Sequence, residues 1–455
     1  MYDLIVIGGG PAGYLGAERA ARAGMKVALF EQSAVGGVCL NEGCIPSKAL
    51  LNSAKMYETA LHGAPYGVHV EGARLDHQEV IARRGKVVNT LVGGVAAKLR
   101  SAGVEVFACE AVIEGRAEGG YAVSSGGETY IARNLLIATG ASAIVPPIPG
   151  VKEGLEAGLV VTNREVLTLK EVPKELVIVG GGVIGLEMAS YYNTAGSHVT
   201  VVEMLDHIAG PTDRELSDRL MKEYAAKGIA FLLNAKVVGV TTNAVLAETG
   251  GNRAELPADK VLLSIGRRAN VHGVGLEHIG VEVNRAGIAV DRQMRTNQPN
   301  VYAAGDVTGQ MMLAHTAYRE AEVAVNVMLG KRDVMRYNAN PAVIYTNPEV
   351  ASVGLTEEEA RAAGLPYEVK KLSMRYSGRF VAEHEKEDGL CKLLVHKAKR
   401  TVIGVHMLGG YVSEIIWGAA AMIEMEMRVR DAREIIFPHP TVSEIVREAL
   451  WEFED

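Results

Sequence analysis

The stretch from Leu4 to Glu31 recurs 172 residues later, from Leu176 to Glu203. The first copy runs Leu4-Ile5-Val6-Ile7, then Gly8-Gly9-Gly10-Pro11-Ala12-Gly13, a helical stretch Tyr14 to Ala23, Gly24, and a second apolar run from Lys26 to Phe30 that ends at Glu31. The second runs Leu176 to Val179, then Gly180-Gly181-Gly182-Val183-Ile184-Gly185, a helix to Ala195, Gly196, and Val199 to Val202 ending at Glu203. Apolar runs without alternation read as parallel strands buried on both faces, and strand–helix–strand order places each copy in an α/β layer. In both copies the acid follows the last glycine of the motif by 18 residues.

One such glycine motif is weak evidence, because glycine-rich turns are common. Two in equal register, each leaving a strand, opening a helix and followed by an acid, predict two dinucleotide sites. The first glycine permits the tight turn, the second lets backbone approach a pyrophosphate, and the third lets helix and strand pack closely. The helix N-terminus favours the anion, and the acid accepts from ribose hydroxyls. At the second site Glu203 puts a negative charge where a 2′-phosphate would sit. Met204-Leu205-Asp206-His207 offers no arginine to neutralise one, so NAD is expected over NADP.

A length of 455 residues predicts about three units by the usual domain size. Val145-Pro146-Pro147-Ile148-Pro149-Gly150 reads as a rigid connector after the first, Gly266-Arg267-Arg268 as a second boundary, and Asn338 to Pro341 as a third. The expected domains are therefore 1–146, 147–267, 268–338 and 339–455. A net charge of −7 and 5% aromatic residues, with no basic run, argue against nucleic acid. No apolar stretch reads as a membrane helix. Met1-Tyr2-Asp3 leads straight into the first strand without a leader pattern, and four cysteines are too few for a secreted disulfide framework. The expected compartment is the cytoplasm.

Two of those cysteines, Cys39 and Cys44, lie just after the first acid. Their spacing is wrong for a zinc site, and Cys109 and Cys391 have no partner at ligand spacing, so no metal is expected. In a continuous helix, residues five apart have α-carbons roughly 8–9 Å apart, whereas a disulfide needs less than about 7 Å. The pair can close only where the chain leaves helix geometry, which Asn41 and Gly43 permit. Pro46 suits a first helical turn, and Ser47 to Ala60 reads helical. Cys44 then sits near a helix N-terminus with Lys48 one turn on, both of which favour a thiolate. A redox-active dithiol is the better reading than two inert buried thiols.

Near the C-terminus, Pro438-His439-Pro440 holds an imidazole outside any helix, and a dithiol oxidoreductase needs a proton acceptor near neutral pH. Glu444 could be its carboxylate partner. Thr441-Val442-Ser443-Glu444 is also a capping box for a helix from Ile445 to Phe453, in which Glu444 bonds the Thr441 backbone. Both readings stand at this point.

The segment Gly36-Gly37-Val38-Cys39-Leu40-Asn41-Glu42-Gly43-Cys44-Ile45-Pro46-Ser47-Lys48 resembles the active-site segment of the flavoprotein disulfide reductases, and the resemblance extends over essentially the whole chain. Ala138-Thr139-Gly140, Gly266-Arg267-Arg268, Ala304-Gly305-Asp306, Met312-Leu313-Ala314-His315 and Pro438 to Glu444 match further motifs of that family. The resemblance implies an α/β fold: two Rossmann-like domains for FAD and NAD, plus a C-terminal α+β dimerisation domain. It implies that FAD is held by Gly8, Gly10, Pro11, Ala12, Gly13, Glu31, Gly37, Val38, Lys48, Ala111, Thr139, Gly140, Asp306 and Ala314. NAD would be held by Gly180, Gly182, Val183, Ile184, Gly185, Glu203, Val237, Gly266 and Arg267.

By the same resemblance Cys39 is the interchange thiol and Cys44 the thiol facing the flavin. Lys48 pairs with Glu187, and His439, held by Glu444, is the base, supplied across a homodimer. The implied activity is oxidation of protein-bound dihydrolipoamide by NAD+. The lipoyl domain of a 2-oxo acid dehydrogenase complex, or a glycine-cleavage carrier protein, would be the partner. Reduction of another small disulfide, such as glutathione or mycothiol, by NAD(P)H is the alternative. The chain departs from the family pattern at Val38, Glu42, Ala111, Asn347 and Phe437.

Overall fold

The N-terminal apolar run forms the strand Tyr2–Ile7 in the computed structural model, which describes residues 1–385 and 387–454. That strand lies between Val27–Phe30 and Glu128–Ile137, parallel to both, and Glu105–Phe107 and Val301–Ala303 extend the parallel layer on either side. An antiparallel meander of Val112–Ala117, Gly120–Ser125 and Glu128–Ile137 completes the sheet. The absence of alternation in Leu4, Ile5 and Val6 is explained by their complete burial between layers. Helix Pro11–Arg22 covers one face and packs along Ala314–Met328.

These elements belong to the first of two compact units, comprising Met1–Ala49, Ile81–Ile144 and Gly266–Arg336. The unit edges at 144/145, 265/266 and 336/337 lie two residues before the expected boundaries at 146/147, 267/268 and 338/339. The segment Leu50–Val80, expected with the first domain, packs in the second unit instead. Its polar side chains show why. His77 is buried with Nδ1 2.8 Å from the Tyr191 hydroxyl and Nε2 2.9 Å from the Leu169 carbonyl, and Glu58 accepts from Thr194 Oγ1 at 3.0 Å.

The second unit repeats the parallel layer with five strands in the order Ala230–Leu232, His198–Val202, Glu175–Val179, Lys260–Leu263 and Val160–Val161. A three-stranded meander, Lys236–Val240, Ala244–Thr249 and Asn252–Pro257, adjoins it. The proline-rich connector is tied down here: Val240 N donates to Pro149 O at 2.9 Å. Gly150 has φ +81°, and a Cβ there would meet the Val240 carbonyl at 1.8 Å, so only glycine fits. From Tyr337 onward the chain forms a five-stranded antiparallel sheet, with Glu349–Gly354, Val402–Gly409 and Leu390–His396 at its centre. Helices Val412–Glu424 and Glu444–Trp451 pack on that sheet over the apolar core of Phe380, Met407, Ile416 and Leu450.

A buried ionic cluster joins the C-terminal sheet to the parallel layer of this unit. Lys392, 2% exposed, donates to both oxygens of Asp213, at 3.0 and 2.7 Å, and lies 2.5 Å from Glu357 Oε2. Burial pulls the ammonium's pKa down, but the Asp213 and Glu357 carboxylates outweigh it and hold the value above its ordinary one. Asp213 also caps helix Arg214–Ala226 by accepting from Glu215 N. Breaking such a pair from one side leaves a charge short of its partner, so Asp213→Ala is expected to destabilise the second unit by about 3–5 kcal/mol. The check is the thermal unfolding midpoint of the variant beside the unsubstituted protein; an unchanged midpoint contradicts it.

Candidate active site

The two glycine loops have the same local geometry. Gly8 and Gly180 turn with φ +102° and +104°, and their amides donate to Phe30 O and Val202 O. A Cβ on Gly13 would meet Gly8 O at 1.8 Å, and one on Gly185 would meet Gly180 O at 2.4 Å, so the third glycine of each motif is required for helix–strand contact. The middle glycines differ. At Gly10 an added Cβ would meet nothing nearer than the Gly37 α-carbon at 3.9 Å, and at Gly182 nothing nearer than Ser264 O at 4.0 Å. Gly10 and Gly182 are also the N-caps of helices Pro11–Arg22 and Val183–Thr194, and neither supplies a side-chain cap. Two open loop faces, each with uncapped helical amides, fit a dinucleotide pyrophosphate at both sites.

The acids sit as a matched pair. Glu31 Oε2 accepts from Gly9 N at 2.7 Å and Oε1 from Ser33 N at 2.8 Å; Glu203 Oε2 accepts from Gly181 N at 2.6 Å and Oε1 from Leu205 N at 2.9 Å. Each carboxylate is thus locked beside its loop with lone pairs left for ribose hydroxyls. The nearby Arg214 pairs with Asp206 at 3.0 Å and Asp218 at 3.0 Å, held by carboxylates rather than offered to a 2′-phosphate.

In the first unit, Cys39 lies within helix Gly37–Glu42 and Cys44 opens helix Cys44–Leu61. The break falls at Gly43, where a Cβ would press on Val38 O at 3.1 Å. Asn41 Nδ2 ties the turn by donating to Gly37 O at 2.9 Å. The cysteine segment sits directly on the first loop, since a Cβ on Gly37 would meet the Gly10 α-carbon at 2.6 Å. Cys39 and Cys44 are thiols in hydrogen-bonding contact.

That contact, then burial, pushes the Cys39 thiol far above its ordinary range, with Lys48 opposing. Two thiols in such contact lose their first proton as a pair. Cys44 opens a helix with Lys48 one turn on, both of which favour a thiolate at that position.

Asp306 is mostly buried, and burial raises its carboxyl pKa while Arg267 opposes that shift. Arg267, expected on the NAD side, belongs to the first unit, where Nε lies 3.9 Å from Asp306 Oδ2 and the guanidinium also donates to Ala141 O. Gly305 N donates to the fully buried Glu320 Oε2 at 2.6 Å, fixing the backbone beside Asp306. Thr139 Oγ1 donates to Asn270 O at 2.7 Å, and Asn270 N to Gly140 O at 2.9 Å. Ala314 begins its helix, while Ala111 and Val237 are buried in the cores of their units.

In the second unit His439 Nδ1 is 2.9 Å from Glu444 Oε1, and Glu444 Oε2 accepts from Thr441 N at 2.9 Å. Glu444 therefore holds both partners, one on each oxygen, but the expected capping box does not form: the helix Glu444–Trp451 starts after Ser443 with no side-chain cap, and Thr441 Oγ1 donates to Pro438 O instead. The Thr441 amide first, then His439, keeps the Glu444 carboxyl below its usual range. Ser377 Oγ donates to Thr441 O at 3.0 Å and anchors the turn. The imidazole side chain is 77% exposed. Glu187, buried, accepts from Tyr345 N at 3.1 Å. Asn347 donates to Glu58 Oε2 at 2.5 Å, and Phe437 packs on the C-terminal core.

Two nucleotide loops, with a thiol pair against one of them, define a dithiol oxidoreductase that works with two dinucleotides. Residues 2–321 match the family described as pyridine nucleotide-disulphide oxidoreductase, and residues 340–450 match its dimerisation domain. The chain belongs to that family, whose cofactors are FAD and NAD(H). It is 37% identical over 454 residues to the dihydrolipoyl dehydrogenase of Chlamydia muridarum, covering 98% of this chain and 96% of that one. It is 38% identical over 458 residues to dihydrolipoyl dehydrogenase 3 of Pseudomonas putida, covering 98% and 97%. Among solved structures it is similar to LpdA from Mycobacterium tuberculosis, with a TM-score of 0.89 and 28% identity over 99% of each chain.

The dimerisation match supports a homodimer. The exposed apolar side chains of Trp417, Met425, Ile436 and Trp451 in that part of the chain agree with it. Among the described residues no helix is long and apolar enough to cross a membrane.

Proposed function

We propose that this chain oxidises protein-bound dihydrolipoamide to lipoamide with NAD+, as a cytoplasmic homodimer serving the lipoyl domain of a 2-oxo acid dehydrogenase complex or a glycine-cleavage carrier protein. The observation that carries the reading is the Cys39–Cys44 pair seated at the helix break beside the first nucleotide loop. Full-length similarity to dihydrolipoyl dehydrogenases supports this substrate over glutathione or mycothiol disulfide.

With the pair oxidised, His439 Nε2 takes the proton of one substrate thiol while Glu444 holds Nδ1 and steadies the imidazolium. The substrate thiolate attacks Cys39 Sγ. The Cys39–Cys44 bond breaks, a mixed disulfide forms, and Cys44 leaves as thiolate at its helix start. The second substrate sulfur attacks the substrate's own sulfur in the mixed disulfide as its proton passes to the departing Cys39 Sγ, closing lipoamide and releasing Cys39 as a thiol. Two electrons and two protons have then left the substrate. Bound FAD and NAD+ supply the chemistry that removes the electron pair as hydride and lets the disulfide re-form.

In a homodimer the exposed His439 serves the disulfide of the other subunit. The test is NAD+ reduction by dihydrolipoamide with flavin-loaded protein, run beside NADPH oxidation by glutathione disulfide. Turnover only in the second assay would refute the reading.

Nucleotide choice gives a further expectation. Glu203→Ala removes the fixed charge beside the second loop, so the preference for NADH over NADPH should fall by about tenfold, the scale of one lost charged hydrogen bond. Steady-state kcat/KM with each nucleotide checks this, and an unchanged ratio counts against the ribose role.

A further inference from the structure

Helix His77–Ser101 carries two adjacent arginines whose side chains reach either side of the Gly43 break. Arg84 Nη2 donates to Asn41 O at 3.1 Å, at the end of helix Gly37–Glu42, which holds Cys39. Arg83 Nη1 donates to Ala49 O at 3.2 Å, in the second turn of helix Cys44–Leu61, which Cys44 opens. Asn41, Ala49, Arg83 and Arg84 all belong to the first unit. The start of the Cys39 helix is held separately, by Gly37 against Gly10 and by Asn41 Nδ2, which donates to Gly37 O at 2.9 Å and to Val35 O at 3.3 Å.

The two arginine bonds differ in kind. Asn41 O is among the last four carbonyls of its helix, which intrahelical bonds leave open, and the helix dipole favours a cation there. Ala49 O lies inside its helix, where a carbonyl has a second lone pair to offer. Arg84 is half-buried, and its Nε is buried without a partner among the described residues. A guanidinium placed there at a cost in desolvation has a use in what its other nitrogens hold. A strut bound at two points fixes the distance between them, and the break that lets the sulfurs approach lies between these two. Closing a disulfide depends on the effective concentration of one thiol at the other, which is highest when the backbone holds the pair in contact.

We propose that Arg84, braced by Arg83, is a positioning residue of the dithiol site, holding the Cys39 and Cys44 helices at the separation from which the disulfide closes. This deepens the dithiol reading and rests on it. The arginines act on the backbone that carries the sulfurs, not on sulfur itself.

The test equilibrates flavin-loaded protein, anaerobically and without nicotinamide nucleotide, with mixtures of oxidised and reduced dithiothreitol. In the exchange the Cys39–Cys44 bond forms as the S–S bond of cyclic dithiothreitol breaks, and two electrons and two protons pass to the dithiothreitol. Thiols are trapped with acid, alkylated and counted on the peptide carrying Cys39 and Cys44. Arg84→Met keeps most of the apolar length but no donor. Its constant for closing the disulfide should fall by about three- to tenfold, a potential about 15–30 mV higher at about 30 mV per tenfold in a two-electron couple. The sign is diagnostic. Loss of a cation alone disfavours the thiolate form of the reduced pair, which favours the disulfide and lowers the potential.

An unchanged or lowered potential in Arg84→Met with normal flavin content overturns the proposal. Arg83→Met should shift the constant in the same direction, and the double variant no further than the larger single shift, because a strut released at one end no longer sets a distance. Additive shifts overturn the strut. If Arg84→Met lost its flavin, Arg83→Met would be read by the same criterion. Failure of the underlying reading is distinguishable, because unsubstituted protein would then show no Cys39–Cys44 disulfide in any of the mixtures.

Discussion

Replacing His439 by glutamine lowers turnover with dihydrolipoamide by about 10²–10⁴-fold, the range for losing a general base, while flavin content stays normal. The expectation rests on geometry: an exposed imidazole whose Nδ1 is fixed by Glu444, leaving Nε2 to meet a substrate. Glutamine keeps a polar side chain of similar reach but cannot take the proton. Unchanged turnover would reduce His439 to a turn residue. The sign of the pH effect on its support also follows. Glu444 has a lowered carboxyl pKa, so its bonds to Thr441 and His439 are fully present above the ordinary carboxyl value. They are lost only as pH falls through the lowered value. Loss of activity at mildly acidic pH would accordingly not reflect collapse of that support.

The Cys44→Ser variant should lose dihydrolipoamide-dependent NAD+ reduction by about 10⁴-fold or more, because no disulfide can close and the electron pair has no entry. The fold should survive. Serine fits the volume, the thiol is partly exposed, and the Gly43 break and the Asn41–Gly37 bond that shape the segment do not involve this sulfur. Flavin content and turnover measured on the same preparation separate the two effects. Turnover within tenfold of the unsubstituted protein would remove Cys44 from the chemistry.

The features legible from sequence are those whose physical cause is local. The two loops could be read because the tight turn, the open approach and the close packing each demand glycine at a fixed place, and because an acid must follow the second strand. The matched bonds of Glu31 and Glu203 to Gly9 and Gly181 are that grammar in atomic form. The cysteine segment was readable for a related reason: a disulfide across five residues needs a helix break, and Gly43 provides it.

Partnerships that span the chain left no such trace. Glu320 sits on a helix whose apolar pattern says nothing of Gly305, although a fully buried glutamate is a signal that a partner exists. Lys392 meets Asp213 across 179 residues, and Leu50–Val80 packs in the second unit through His77 and Glu58. For Glu444 the sequence posed a choice between cap and catalytic partner; its two oxygens hold the Thr441 amide and His439, but no capping box forms, because the helix opens at Glu444, beyond Thr441.

The most direct test of the account counts thiols. Flavin-loaded protein is treated anaerobically with dihydrolipoamide, freed of small molecules, denatured, and titrated with a thiol reagent beside an untreated sample. A gain of two thiols per chain, mapped to the peptide carrying Cys39 and Cys44, is the predicted result. No gain, or a gain at any other cysteine, would contradict it.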